Sequence, residues 1–119
     1  EGLMDSLKIV EEAVRALSDK KAANIMVIDV KEKSSFADYL ILATGGSIRQ
    51  LNALVDEVED RLAKFDIMPR AVEGKQNSDW LLMDYIDVVV NVLTEDSREK
   101  YNIEKVWGDC EKLDVTEWV

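Results

Sequence analysis

From Asp38 to Gln50 the sequence reads as a buried strand that breaks sharply into a helix, and this junction constrains the fold more than any other stretch. Tyr39 to Ala43 is an unbroken apolar run of strand length, closed by Thr44-Gly45-Gly46. Ser47 stands where a helix N-cap belongs, and Gln50 three residues on completes a capping box. Junctions of this kind are where α/β proteins often place function. The glycines and free amides of the helix start can cradle an anion. The plainer reading, a tight turn that reverses the chain, is preferred.

The flanking pattern completes an α/β chain. Leu3, Leu7, Val10, Val14 and Leu17 recur at spacings of four and three, which predicts an amphipathic helix over 4–20. A β-rich run from Ile25 to Val30 and the polar turn 31–35 lead to the strand at Tyr39 to Thr44. The next helix runs from Ile48 to Phe65, with Leu51, Leu54, Val55, Val58, Leu62 and Phe65 on one face. On its exposed side, Glu57 with Arg61 and Asp60 with Lys64 form acid-before-base pairs at i,i+4. Pro69 marks the exit. A short strand at Arg70 to Glu73 ends at Gly74 and the polar loop Lys75-Gln76-Asn77-Ser78. Trp80 to Asp84 and Asp87 to Leu93 then predict two strands of a hairpin turning at Tyr85-Ile86. Tyr101, Ile103, Val106 and Trp107 at helical spacing predict a last helix stopped by Gly108. Residues 111–119 show no strong pattern, although Trp118 is able to pack. The expected fold is one α/β domain over 1–119, with its core at about 4–110. It has a mixed sheet of about five strands packed with helices and a tail at 111–119.

Composition removes several function classes. A chain of 119 residues suffices for one real core, and 47% hydrophobic with 34% charged residues is globular rather than disordered. No apolar run approaches the ~20 residues that span a bilayer, and no signal-peptide pattern opens the chain. Glu1 to Leu3 before Met4 read as a cloning or truncation remnant. The single cysteine, Cys110, excludes an internal disulfide and suits a reducing cytoplasm. With no histidine, the commonest general base and the usual Ser or Cys triads are gone. Fifteen Lys and Arg against 25 Asp and Glu leave a net charge of −10. That field repels a phosphate backbone and attracts a basic protein, although simple solubility explains it equally well.

Three groups of residues invite chemistry. Gly46-Ser47 followed by Asp56 and Glu57 resembles a nucleotidyltransferase signature, in which closely set carboxylates hold two Mg²⁺ ions. Those enzymes set the acids two apart on a strand, so both project from one face. Here Asp56 and Glu57 fall on a helix, about 100° apart in direction. They read as solvated helix charges. Asp84 and Asp87 flank the hairpin turn, where acids commonly bond turn amides, and Asp79 lies nearby. Cys110 has no histidine to activate it and reads as an incidental thiol. Trp80 is different, because it opens a strand directly after a polar loop. Trp80, Leu82 and Asp84 share one strand face; Leu81, Met83 and Tyr85 share the other. An exposed Trp on a sheet anchors protein interfaces, yet periodicity leaves a core position equally open.

Four ordered stretches together resemble the Iojap family, the bacterial ribosomal silencing factors. They are Asp38-Tyr39 through Ala43-Thr44-Gly45-x-Ser47-x-Arg49-Gln50, then Glu73-Gly74 with Asp79-Trp80, then Asp84-Tyr85-x-Asp87-Val88-Val89-Val90, and finally Arg98-x-x-Tyr101-x-x-Glu104-x-x-Trp107-x-Asp109. The resemblance spans Lys8 to Asp109. It implies a fold akin to nucleotidyltransferases without their active site. It further implies binding to the large ribosomal subunit through ribosomal protein L-fourteen, at the face where the subunits join. Occupying that face blocks subunit association and lowers translation when nutrients are scarce. No cofactor, metal or catalytic residue is needed, and free members are often homodimers. By position in the motifs, the expected partner contacts are Trp80 as central anchor, Asp84 and Tyr85 beside it, and Arg98, Tyr101 and Glu104 in the terminal helix.

The chain departs from the family pattern at three positions. Ile86 stands where glycine is usual in the hairpin, Asn91 where histidine is common, and Gly46 where threonine or a similar residue is usual. A β-branched residue is costly at positive φ, so Ile86 puts the turn's conformation in question. The alternative function is a nucleotide-binding or nucleotidyl-transferring enzyme using the Thr44–Ser47 turn, for which calorimetry with nucleotide and Mg²⁺ is the direct test.

Overall fold

The computed structural model describes residues 5–74 and 78–119. Leu3 of the first apolar stripe, the remnant reading of Glu1 to Leu3, and loop positions Lys75, Gln76 and Asn77 lie outside the described residues.

Helix α1 (Ser6–Asp19) starts at Asp5, whose carboxylate accepts the Lys8 amide at 2.9 Å. It leads to β1 (Ala23–Asp29), β2 (Tyr39–Gly45), α2 (Ile48–Ala63), β3 (Ala71–Glu73), β4 (Trp80–Asp84) and β5 (Val88–Thr94). The chain closes with two short helices, α3 (Glu95–Tyr101) and α4 (Ile103–Val106). The five strands form one mixed sheet in the order β1-β2-β5-β4-β3. Only β2 and β5 run parallel, with Tyr39 opposite Val88 and Gly45 opposite Thr94. These two central strands are also the most continuously apolar, as strands covered on both faces must be.

Helices α1 and α2 cover one face. Their buried stripes, Ile9, Val10, Ala13, Val14 and Leu17 on α1 with Leu51, Leu54, Val55, Val58 and Leu62 on α2, meet Val27, Ile41, Ala43, Met83, Val90 and Val92 of the sheet. Both stripes are shorter than expected. Leu7, in the first turn of α1, stays exposed, and α2 stops at Ala63, leaving Phe65 exposed beyond it. Arg61 also departs from the expected Glu57 pairing. It crosses to α1, reaching Asp19 at 3.0 Å and Glu12 at 3.7 Å, so it ties the two helices together.

The opposite face carries a smaller cluster, Ile28, Val30, Leu42 and Leu93, against which Ile103, Trp107 and Cys110 pack. The expected single terminal helix is instead broken at Asn102, which takes the left-handed conformation at φ 46°. Asparagine tolerates that region better than most residues, so the break falls there, while the second piece, α4, ends at Val106 just before Gly108, where the stop was expected. The tail without sequence pattern has a definite course. Lys112 bridges Ile28 on the outer edge of β1, and the Leu113 amide donates to the Val27 carbonyl at 2.9 Å. Leu113, Val115 and Trp118 then pack against the helix-side core. The segment thus covers an edge strand that would otherwise present unpaired amides.

Candidate partner-binding face

Strand alternation on β4 divides its side chains between two environments. Leu81, Met83 and the following Tyr85 are buried on the helix side, whereas Trp80, Leu82 and Asp84 are half-buried on the opposite side. Trp80 is therefore neither sealed in the main core nor free in solvent. Its indole N–H donates to Asn91 Oδ1 at 2.9 Å, and its ring lies 4.8 Å from that of Tyr101 at an interplanar angle of 46°. Ser78 fixes the strand entry, its hydroxyl accepting the Trp80 amide at 3.2 Å and donating to the Trp80 carbonyl at 2.9 Å. A ring held from several sides loses little freedom on binding, which favours it as an anchor.

Asn91, which the sequence showed only as a departure from the family pattern, has a role that sequence reasoning missed. It is buried in the middle of β5, directly opposite Leu82, and supplies the acceptor that orients the indole. The clue was a lone amide in an aliphatic strand, which must find a hydrogen-bond partner when buried.

The other expected contact residues divide. Tyr101 is exposed and its ring packs tilted against that of Trp80, so the structure places it on the same face. Asp84 shares that face, but its carboxylate is already engaged. Oδ2 accepts from Arg70 Nη2 at 2.7 Å and Nε at 3.2 Å, and Oδ1 accepts the Ile86 amide at 2.8 Å. The Arg70 guanidinium, with the Ile86 amide, holds its carboxyl below the usual carboxylate range. Asp84 braces the turn, as an acid flanking a hairpin was expected to do. Among the described residues no group of three or more acids and cysteines is placed to hold a metal ion.

Tyr85 corrects the expectation of a surface contact. It is 5% exposed on the helix side, and burial pushes its phenol above the ordinary value. The turn beside it is strained. The Asp87 amide donates to the Tyr85 carbonyl at 2.9 Å across Ile86, whose φ is 76°. That is a γ-turn of positive φ, an uncommon and strained form for a β-branched residue.

Arg98 and Glu104 are bonded to each other, Arg98 buried and Glu104 half-buried. Arg98 is 9% exposed, and its Nη1 donates to the Thr44 hydroxyl at 2.8 Å and to the Asn24 carbonyl at 2.9 Å. Its Nε donates to Glu104 Oε2 at 3.1 Å. The pair fastens the terminal helices to the ends of β1 and β2.

The strand-to-helix junction is filled by its own residues. Ser47 Oγ accepts the Gln50 amide at 3.1 Å, and Gln50 Oε1 accepts the Gly46 amide at 2.6 Å. Ser47 caps the helix as expected, but Gln50 reaches past it to the Gly46 amide rather than to the Ser47 amide of a full capping box; together the two bonds take amide donors that an anion would need. Neither glycine uses positive φ. Gly45 is required by closeness instead: a Cβ there would sit 2.8 Å from a Leu51 methyl carbon. Asp56 is exposed and Glu57 half-exposed on α2, as solvated helix charges should be.

Comparison with known proteins gives this geometry its family. The family model described as ribosomal silencing factor during starvation matches residues 4–119. The ribosomal silencing factor of Bacillus subtilis is 36% identical over 112 residues, covering 94% of this chain and 95% of that protein. A mouse protein named for mitochondrial assembly of the ribosomal large subunit is 29% identical over 101 residues, covering 82% of this chain and 44% of its own length. A crystal structure of a Chromobacterium violaceum protein superimposes with a TM-score of 0.85 at 35% identity, covering 88% of each chain. The chain belongs to the ribosomal silencing factor family, a family of ribosome-associated regulators of translation.

Proposed function

We propose that this protein binds the large ribosomal subunit through ribosomal protein L-fourteen and, seated on the face where the subunits meet, blocks their joining and represses translation under nutrient limitation. The observation that carries this reading is the held indole of Trp80, half-buried on the sheet face opposite α1 and α2 and flanked by Tyr101 and Leu82. Family membership supports the ribosome as the target. The net charge of −10 favours a basic ribosomal protein over bare RNA.

Such a blocker works by bulk and position. It needs an interface of about 800 Å² per partner with a few desolvated anchors, and no reacting group. In this reading the protein works in the cytoplasm, without cofactor or metal, and its free copies pair as homodimers. Subunit joining provides the test. Separated bacterial subunits are mixed with increasing protein, and the joined fraction is read on a sucrose gradient. The joined fraction should fall as the protein saturates the large subunit. Full joining at saturation would end the proposal.

A further inference from the structure

Beside Trp80 lies a cleft of about 270 Å³ lined by Glu73, Gly74, Trp80 and Leu82. The strand register builds it. Glu73 on β3 stands directly opposite Leu82 on β4, and Trp80 lies two residues before Leu82 on the same face. One carboxylate, one branched aliphatic chain and one indole therefore share a single opening. Among the described residues, the Glu73 carboxylate has no hydrogen-bond or ion-pair partner, its backbone alone being paired in the sheet. Asp84, on the same face, is occupied by Arg70 and the turn amide. The indole is likewise held away from drifting into the cleft by Asn91 and Tyr101.

Apolar walls ending in a single unpaired carboxylate match a side chain with an apolar stem and a cationic head. Arginine fits better than lysine, because its planar guanidinium stacks on an indole while bonding a carboxylate in a fork. A phosphate is repelled by Glu73 and by the net charge of −10. Resting on the proposed function, we infer that this cleft receives an arginine side chain of the ribosomal-protein partner, its stem against Leu82 and Trp80 and its guanidinium on the Glu73 carboxylate. Trp80 then supplies area, and Glu73 supplies selectivity for a basic partner.

The test compares affinities for purified large subunits of the wild type, Glu73→Gln, Glu73→Lys and Asp56→Lys. Asp56 is exposed on α2, which packs on the other side of the sheet, so its reversal changes net charge by the same amount as Glu73→Lys without touching the cleft. Melting temperatures establish that each variant is folded. Kd should rise about tenfold for Glu73→Gln and about a hundredfold for Glu73→Lys, against less than about twofold for Asp56→Lys. Wild-type binding should also weaken more steeply with salt than that of Glu73→Gln. If the wild type binds and both Glu73 variants stay within about twofold of it, the arginine site is refuted while the proposed function stands. Tighter binding by Glu73→Lys would mean that a phosphate of RNA occupies the cleft, and would overturn the inference. A wild type that does not bind at all removes the proposed function and this site together.

Discussion

Arg98 makes three hydrogen bonds from a position 9% exposed, to the Thr44 hydroxyl, the Asn24 carbonyl and the Glu104 carboxylate. Arg98→Met keeps the aliphatic stem and removes all three. Thr44 is itself buried, and the other oxygen of Glu104 already lacks a partner among the described residues. Breaking a buried ion pair from one side costs about 3–5 kcal/mol, because the remaining charge stays uncompensated. Glu104 keeps 28% of its side chain in solvent, which places the expected loss near the lower end, about 3 kcal/mol. In urea, with a slope of about 1.5 kcal/mol per molar, the unfolding midpoint should fall by about 2 M. Glu104→Gln should cost less in the Arg98→Met background than alone, giving a coupling of about 1–2 kcal/mol in the double-mutant cycle. Circular dichroism at increasing urea reads both quantities. A loss under about 1 kcal/mol, or strictly additive effects, would refute the fastening role and return both residues to the list of partner contacts.

Ile86→Gly should stabilise the domain. Positive φ costs a β-branched residue about 1–3 kcal/mol, glycine's extra unfolded-state freedom takes back about 0.4–1, and Ile86 is largely exposed. A lower melting temperature would show that the turn is unstrained. Asp84 sets a pH dependence. Its folded carboxyl pKa lies below the unfolded one, so the unfolded chain binds more protons in acid. Its contribution is complete above the unfolded value, about pH 4, and is lost as pH falls through the folded value. Asp84→Asn should therefore flatten the stability profile below about pH 4, and an unchanged profile would contradict the Arg70 contact. Salt should weaken the same contact, since Arg70 is mostly exposed.

The layer structure was legible because each element carried a clear period or run. The apolar blocks of β2 and β5, the stripe of α2 and the N-cap at Ser47 depend on neighbours within a turn or a strand. What sequence left hidden depended on distant partners. Arg98 was expected to meet a partner, whereas the bulge in β1, with Asn24 at φ 50°, brings a carbonyl to it from 74 positions away. Tyr85 was placed by parity with Leu81 and Met83, yet only the packing of the helices made that face the core side. The helix break at Asn102 has no periodic signature, since one left-handed residue suffices. Trp80 was correctly singled out but ambiguous, because period two names the residues on a face without saying which face the helices cover. The roles of Asn91 and Glu73, both already noted in the sequence, became clear only once the register set them against Leu82.

Co-sedimentation of Trp80→Ala with purified large subunits is the most direct test of the central claim. The half-buried indole lies outside the main core, so the variant should stay folded by circular dichroism while pelleting with large subunits falls by at least about tenfold in affinity. A folded Trp80→Ala protein that pellets as well as the wild type would remove this face from the interface.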